Sequence, residues 1–147
     1  MTRFSTPDEI LDFAIAREIE ANKFYGQLAE RMADSPMGQV FRDFADDELG
    51  HRQKLEAIKA EHLIPKQEEV GSLDIADYIV AACTSPQMSY ADTLVLAMRK
   101  EKKAFRLYHD LAARMHRPEL RNVFLFLAQE EAGHKLRFEV EYDLTTF

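Results

Sequence analysis

An internal repeat constrains this chain more than any other feature. A shift of 83 positions lays Glu18 on Glu101, Ala21 on Ala104, Tyr25 on Tyr108 and Met32 on Met115. The same shift carries Phe41 to Phe124, Ala45 to Ala128, Glu48 to Glu131, Gly50 to Gly133 and His51 to His134. Leucine and alanine recur in any helical core, so their repetition alone means little. Convergence has no reason to repeat a glutamate and a histidine at the same core positions. The chain therefore reads as two copies of one unit.

Within each copy the repeated residues advance by three and four, the step that keeps side chains on one face of a helix. The first stripe runs Leu11, Ala14, Glu18, Ala21, Tyr25, Leu28, Met32, and the third runs Leu94, Ala97, Glu101, Ala104, Tyr108, Leu111, Met115. The second reads Met37, Phe41, Phe44, Glu48, His51, Leu55, Ile58, and the fourth Leu120, Phe124, Leu127, Glu131, His134, Phe138. Start signals bound them. Thr6-Pro7-Asp8-Glu9 is a capping box with proline in the first turn, opening a helix to about Asp34. Ser35-Pro36 opens a second, ending near His62; Ser89 caps a third; Pro118 starts a fourth, ending near Tyr142. Short turns inside each pair predict two antiparallel hairpins, about 6–62 and 89–142. The connector, 63–88, is expected to hold a short helix from Asp74 to Cys83. One domain over 1–147, an all-α four-helix bundle with a long crossover, is the expected architecture.

Composition narrows the function classes. A net charge of −7 argues against nucleic acid and anionic membrane as partners. One cysteine, Cys83, excludes an intrachain disulfide framework and a Cys₄ metal centre. Neither a signal peptide nor a membrane-spanning run is visible, which makes a cytoplasmic location the expectation.

The chemistry lies in six residues that stand where leucines are expected: Glu18, Glu48, His51, Glu101, Glu131 and His134. A buried carboxylate loses its hydration at great cost, and four at one level would also repel one another. Two divalent cations balance four carboxylates. Glu48 with His51, and Glu131 with His134, are spaced i and i+3, so each pair projects from one turn. One glutamate from each of two helices plus Glu-x-x-His from each of the other two is the carboxylate-bridged two-metal pattern. Two buried Glu–His ion pairs are the structural alternative, and they would leave two core glutamates without counter-charge.

The runs Glu18-Ile19-Glu20-Ala21-Asn22-Lys23-Phe24-Tyr25 and Asp47-Glu48-Leu49-Gly50-His51 resemble the rubrerythrin branch of the ferritin-like superfamily. So do Glu101-Lys102-Lys103-Ala104, onward to Tyr108, and Glu130-Glu131-Ala132-Gly133-His134. The resemblance implies a di-iron centre in which Glu48 and Glu131 bridge the metals, Glu18 and Glu101 are terminal, and each histidine completes one metal. Zinc or manganese are possible substitutes. Rubrerythrins proper carry another glutamate three residues after the third-helix ligand; here Ala104 stands there, giving a symmetric set more like that of bacterioferritin. They also append a rubredoxin domain, whose cysteines are absent here.

Several expectations follow. The foremost is an oxidoreductase reducing hydrogen peroxide or dioxygen, served by an external, rubredoxin-like electron donor. The alternatives are a ferroxidase or iron-binding protein without turnover, and a non-catalytic, zinc-bound helical dimer. Asp47 and Glu130 are candidates to accept the outer N–H of His134 and His51, respectively, or else are solvated acids. Tyr25 and Tyr108, two turns from Glu18 and Glu101, are candidates to bond a ligand carboxylate, or else buried tyrosines bonded elsewhere. His62, His109 and His116 read as surface residues, Cys83 as a small core residue, and Met32, Met37, Met88, Met98 and Met115 as packing. Phe13, Phe24, Phe105 and Phe126 lie off the main stripes and either widen the core or serve a homodimer.

Overall fold

The computed structural model describes residues 4, 6–65, 73–80 and 87–147. Four α-helices dominate: α1 (Pro7–Arg31), α2 (Pro36–Ala60), α3 (Tyr90–Arg114) and α4 (Pro118–Thr146), with a 3₁₀ helix, Ile75–Tyr78, before α3. No helix among the described residues is long and apolar enough to cross a membrane. The chain divides into two compact units, Ser5–Glu68 and Glu69–Phe147 with Met1–Phe4.

The start signals act as the residue chemistry requires. Thr6 is extended at the N-cap and its Oγ1 accepts from the Glu9 N–H at 3.2 Å. Ser89 does the same for α3, accepting from the Asp92 N–H at 3.1 Å. Each bond satisfies one of the amide donors that a helix start leaves over. Proline opens α1, α2 and α4, where its missing N–H costs nothing. The repeat extends to the boundaries: α1 and α3 are each 25 residues long, and both ends of α3 lie 83 positions after those of α1.

In the first unit α1 and α2 form an antiparallel hairpin. Asn22 Nδ2 donates to the Ala45 carbonyl at 2.8 Å near its middle, and Lys59 Nζ meets Asp12 Oδ1 at 2.6 Å near its open end. At the closed end α1 stops at Arg31, earlier than the expected Asp34, because Met32 leaves helical geometry and its carbonyl accepts from both Ser35 N–H (2.9 Å) and Ser35 Oγ (3.1 Å). Ser35 thus spends its hydroxyl on the turn and makes no side-chain cap for α2. α2 ends at Ala60, where His62 takes a left-handed φ of 50°. The Leu63 N–H then reaches the Ile58 carbonyl and the His62 N–H the Lys59 carbonyl, each at 3.1 Å, a Schellman stop.

In the second unit α3 and α4 form the corresponding hairpin. Tyr108 stacks on Phe124 and Tyr90 Oη donates to Glu141 Oε1 at 3.2 Å. α4 runs to Thr146, past the expected Tyr142, and Thr146 Oγ1 bonds back to the Tyr142 carbonyl at 2.8 Å. Within the described part of the expected connector helix, Ile75–Tyr78 forms one 3₁₀ turn capped by Asp74 and Ile79 is extended; Cys83 lies outside the described residues. Tyr78 is buried and donates its hydroxyl to Asp110 Oδ2 on α3 at 2.7 Å. That bond and the burial of the phenol dock the 3₁₀ turn on α3.

Candidate metal centre

All six ionisable residues of the stripes are buried: Glu18, Glu48, His51, Glu101 and Glu131 at 2% exposure or less, His134 at 4%. Local structure places them there. Glu18 follows Leu11 and Ala14 down the buried face of α1, and Glu48 and His51 continue the face of Met37, Phe41 and Ala45 on α2. In the second unit Glu101 lies on the face of Leu94 and Ala97, and Glu131 and His134 on that of Phe124 and Ala128. Every buried position of α1 recurs as a buried position of α3 after 83 residues.

Each hairpin thereby assembles a triad of its own. In the first, His51 Nδ1 lies 3.2 Å from Glu48 Oε1 and 3.6 Å from Glu18 Oε2. In the second, His134 Nδ1 lies 3.5 Å from Glu101 Oε1 and 3.7 Å from Glu131 Oε1. One ligand atom from each member of a triad falls within 4.8 Å of the other two. The same imidazole nitrogen faces two carboxylates in both copies, leaving Nε2 for an outer partner.

Electrostatics at the first triad are opposed and unequal. Burial pushes the His51 imidazolium down, yet hydrogen bonds and charge from Glu18 and Glu48 outweigh it and hold the group up to about 10. The two carboxylates thus favour positive charge beside Nδ1; metal ligation requires the neutral imidazole, so a cation bound here would supply that charge in place of a proton. The donor set suits a borderline or hard divalent metal: two carboxylates and one imidazole, without sulfur.

The remaining candidates separate. Asp47 and Glu130 are both half-buried, one residue before Glu48 and Glu131. Tyr25 and Tyr108 are fully buried, Tyr25 edge-on to Phe24 and Phe44, Tyr108 stacked on Phe124. His62, His109 and His116 are exposed, and His109 stacks on Phe105. Ala104 is half-buried, one turn from Glu101. Phe24 is core, while Phe105 and Phe126 are 37% and 46% exposed. A cavity of about 560 Å³ between the start of α1 and the end of α2, bordered by Thr6, Leu11, Ile58 and His62, contains none of the six triad residues.

Asn22 was not singled out by sequence, although it belongs to the surroundings of the first triad. It lies one turn after Glu18 and bonds the carbonyl of Ala45, one turn before Glu48, so it ties together the two helices that carry the ligands. The signal was its presence in a helix interior, where asparagine is a poor former unless its amide is used. Its counterpart in the second copy is Phe105.

Comparison with known proteins adds the decisive observation: the rubrerythrin family model matches residues 9–142, nearly the whole chain. The chain belongs to the rubrerythrin family. A solved structure, a hypothetical protein from Pyrococcus furiosus, is similar at a TM-score of 0.71 and 23% identity, covering 92% of this chain and 87% of that one. That likeness bears on fold alone, and the fold class is the all-α, ferritin-like four-helix bundle of rubrerythrins. No curated protein sequence matches. Rubrerythrin-family membership and the buried Glu/His clusters together suggest a two-metal site.

Proposed function

We propose that the two triads are the halves of one di-iron centre and that the protein is an oxidoreductase reducing hydrogen peroxide or dioxygen. The observation that carries this reading is the recurrence of one buried Glu–Glu–His triad, with the same nitrogen facing the carboxylates, in both hairpins. Glu18 and Glu101 would be terminal ligands, Glu48 and Glu131 bridging ones, and His51 and His134 the nitrogen donors. Four carboxylates would balance two divalent ions, and iron held by these residues would supply electrons for reducing an O–O bond. Leu11 and Phe41 in the first hairpin, and Leu94 and Phe124 in the second, are buried on the same helix faces as the proposed ligands, which supports a site shielded from water. Asp47 and Glu130 are proposed to accept the outer N–H of His134 and His51, fixing the tautomer, and Tyr25 and Tyr108 to steady ligand carboxylates. Electrons would come from an external, rubredoxin-like protein.

The symmetric donor set, with Ala104 in place of a further glutamate, favours a second reading, ferroxidation or iron binding without turnover. Anaerobic iron titration followed by peroxide-consumption assays separates the two. Wild type is expected to bind two irons per chain and consume peroxide over many turnovers. Glu48→Ala and His134→Ala are expected to lose both metal and turnover, and activity retained in both would refute the site. Stoichiometric iron oxidation with no turnover would select the second reading.

A further inference from the structure

The two hairpins differ at their open ends. In the second unit Tyr90, the first residue of α3, spans to α4, and its hydroxyl donates to Glu141 Oε1 at 3.2 Å. The same two positions in the first unit, 83 residues earlier, are Pro7 and Ile58. That pair cannot form the bridge, because proline has no reach and isoleucine no acceptor. Between them lies the cavity of about 560 Å³, bordered also by Thr6, Asp8, Leu11 and His62. The second copy is thus an internal control. One hairpin closes its open end with a phenol, and the other leaves room for one.

The walls define the kind of molecule this room suits. Leu11, Ile58 and Ile64 are buried, and the rings of Pro7 and Pro65 add flat apolar surface. Thr6, Asp8 and His62 border the cavity from exposed positions, so the polar groups stand at its rim. An apolar pocket of about 300–1,000 Å³ with a few polar groups is the common form of a small-molecule site. His62 is an independent observation. It holds a φ of 50°, the left-handed conformation that glycine adopts without strain. Ending α2 requires only the backbone at this position, so the imidazole is retained at a cost that the fold does not demand.

We propose that this cavity binds a small phenol, which occupies in the first hairpin the place that the Tyr90 side chain takes in the second. The ring lies against Leu11, Ile58 and Ile64, and the hydroxyl bonds His62 at the rim. Burial of the ring supplies most of the affinity, and the hydroxyl sets the orientation. Asp8 and Glu9, both in the first turn of α1, disfavour an anionic ligand and so select a neutral hydroxyl over a carboxylate. Leu11 is two turns before Glu18 and Ile58 two turns after His51, so the site stands apart from the triad and does not depend on the metal assignment.

The test uses the full chain and p-cresol, the side chain of tyrosine as a free molecule. Titration followed by amide proton–nitrogen correlation spectra is expected to give saturable shifts at Asp8, Leu11, Ile58 and His62, and none at Ala91, Leu94 or Glu141. Toluene, which lacks the hydroxyl, is expected to bind about 5-fold more weakly. His62→Gly relieves the left-handed conformation, so it is expected to raise the melting temperature while weakening p-cresol to the level of toluene. The first effect without the second would show a residue that only ends the helix, and would overturn its role. Pro7→Tyr combined with Ile58→Glu transplants the bridge of the second hairpin and is expected to abolish binding, with helix content by circular dichroism unchanged. Absence of saturable binding to wild type at millimolar p-cresol overturns the proposal. So do shifts located elsewhere in the chain, or unchanged affinity in the folded double variant.

Discussion

A buried ionisable side chain keeps its place only where a partner offsets its lost hydration, and this chain shows two solutions. In the triads a histidine stands between two glutamates. At Tyr78 the partner is a single carboxylate, Asp110, and burial first and the bond to Asp110 second push the phenol above its ordinary range near 10. The sign of the consequence is definite. Below pH 10 the phenol is neutral in folded and unfolded chains, and its contribution to stability is complete. Above pH 10 the unfolded chain gives up the proton and the folded one retains it, so stability falls as pH rises. Tyr78→Phe is expected to cost about 1.5 kcal/mol at neutral pH, the worth of a hydrogen bond to a charged group, and to flatten this alkaline loss. Urea unfolding of both proteins from pH 8 to 11 measures the two effects; equal slopes above pH 10 would show that Tyr78 does not carry them.

At the scale of the elements, the two hairpin turns solve one problem by different means. A Cβ placed on Gly38 would lie 2.5 Å from the Met32 carbonyl oxygen, so the first turn closes only because residue 38 is glycine. The second copy has Arg121 there, and its guanidinium donates to the carbonyl of Met115, the counterpart of Met32, at 3.1 Å. The second turn has room for this because α4 begins at Pro118, one residue earlier in the repeat than Pro36. Gly38→Ala must displace backbone rather than a flexible side chain, and is expected to destabilise the protein by about 1–3 kcal/mol. In an open helix position the same change would gain stability. Thermal melts of Gly38→Ala against Gly26→Ala make the comparison, since nothing lies within 4 Å of a Cβ at Gly26. Neutral or stabilising behaviour at position 38 would contradict the tight turn.

Over the whole molecule, a metal that binds only the folded chain adds to its stability, by about 4 kcal/mol at a free concentration a thousand times its dissociation constant. Chelation of the iron-loaded protein is expected to lower the melting temperature by on the order of 10 °C, given ~2–4 °C per kcal/mol for a chain of this size. His51→Ala and His134→Ala should each remove most of that metal-dependent increment, to a similar extent, as expected of equivalent half-sites. Calorimetry with and without chelator reads it directly. An increment abolished by one variant and untouched by the other would break the equivalence.

Much of this was readable from the amino acids because the signals are local. Helical period, capping serines and threonines, and N1 prolines act within a few residues, so the four helices fell within four residues of their expected ends. The repeat exposed Glu18, Glu48, His51 and their counterparts because a glutamate on an apolar stripe is costly wherever the chain folds. Other features depended on residues far apart in sequence. Tyr78 of the 3₁₀ turn docks on Asp110, 32 residues further along, and Asn22 has its role from the approach of Ala45. α4 shows the division most plainly. Its sequence is apolar on two faces, and periodicity reports that a face is apolar but not what covers it. Only packing decided that the Phe124–His134–Phe138 side is enclosed within the chain while the Leu125–Leu136–Val140 side is left exposed.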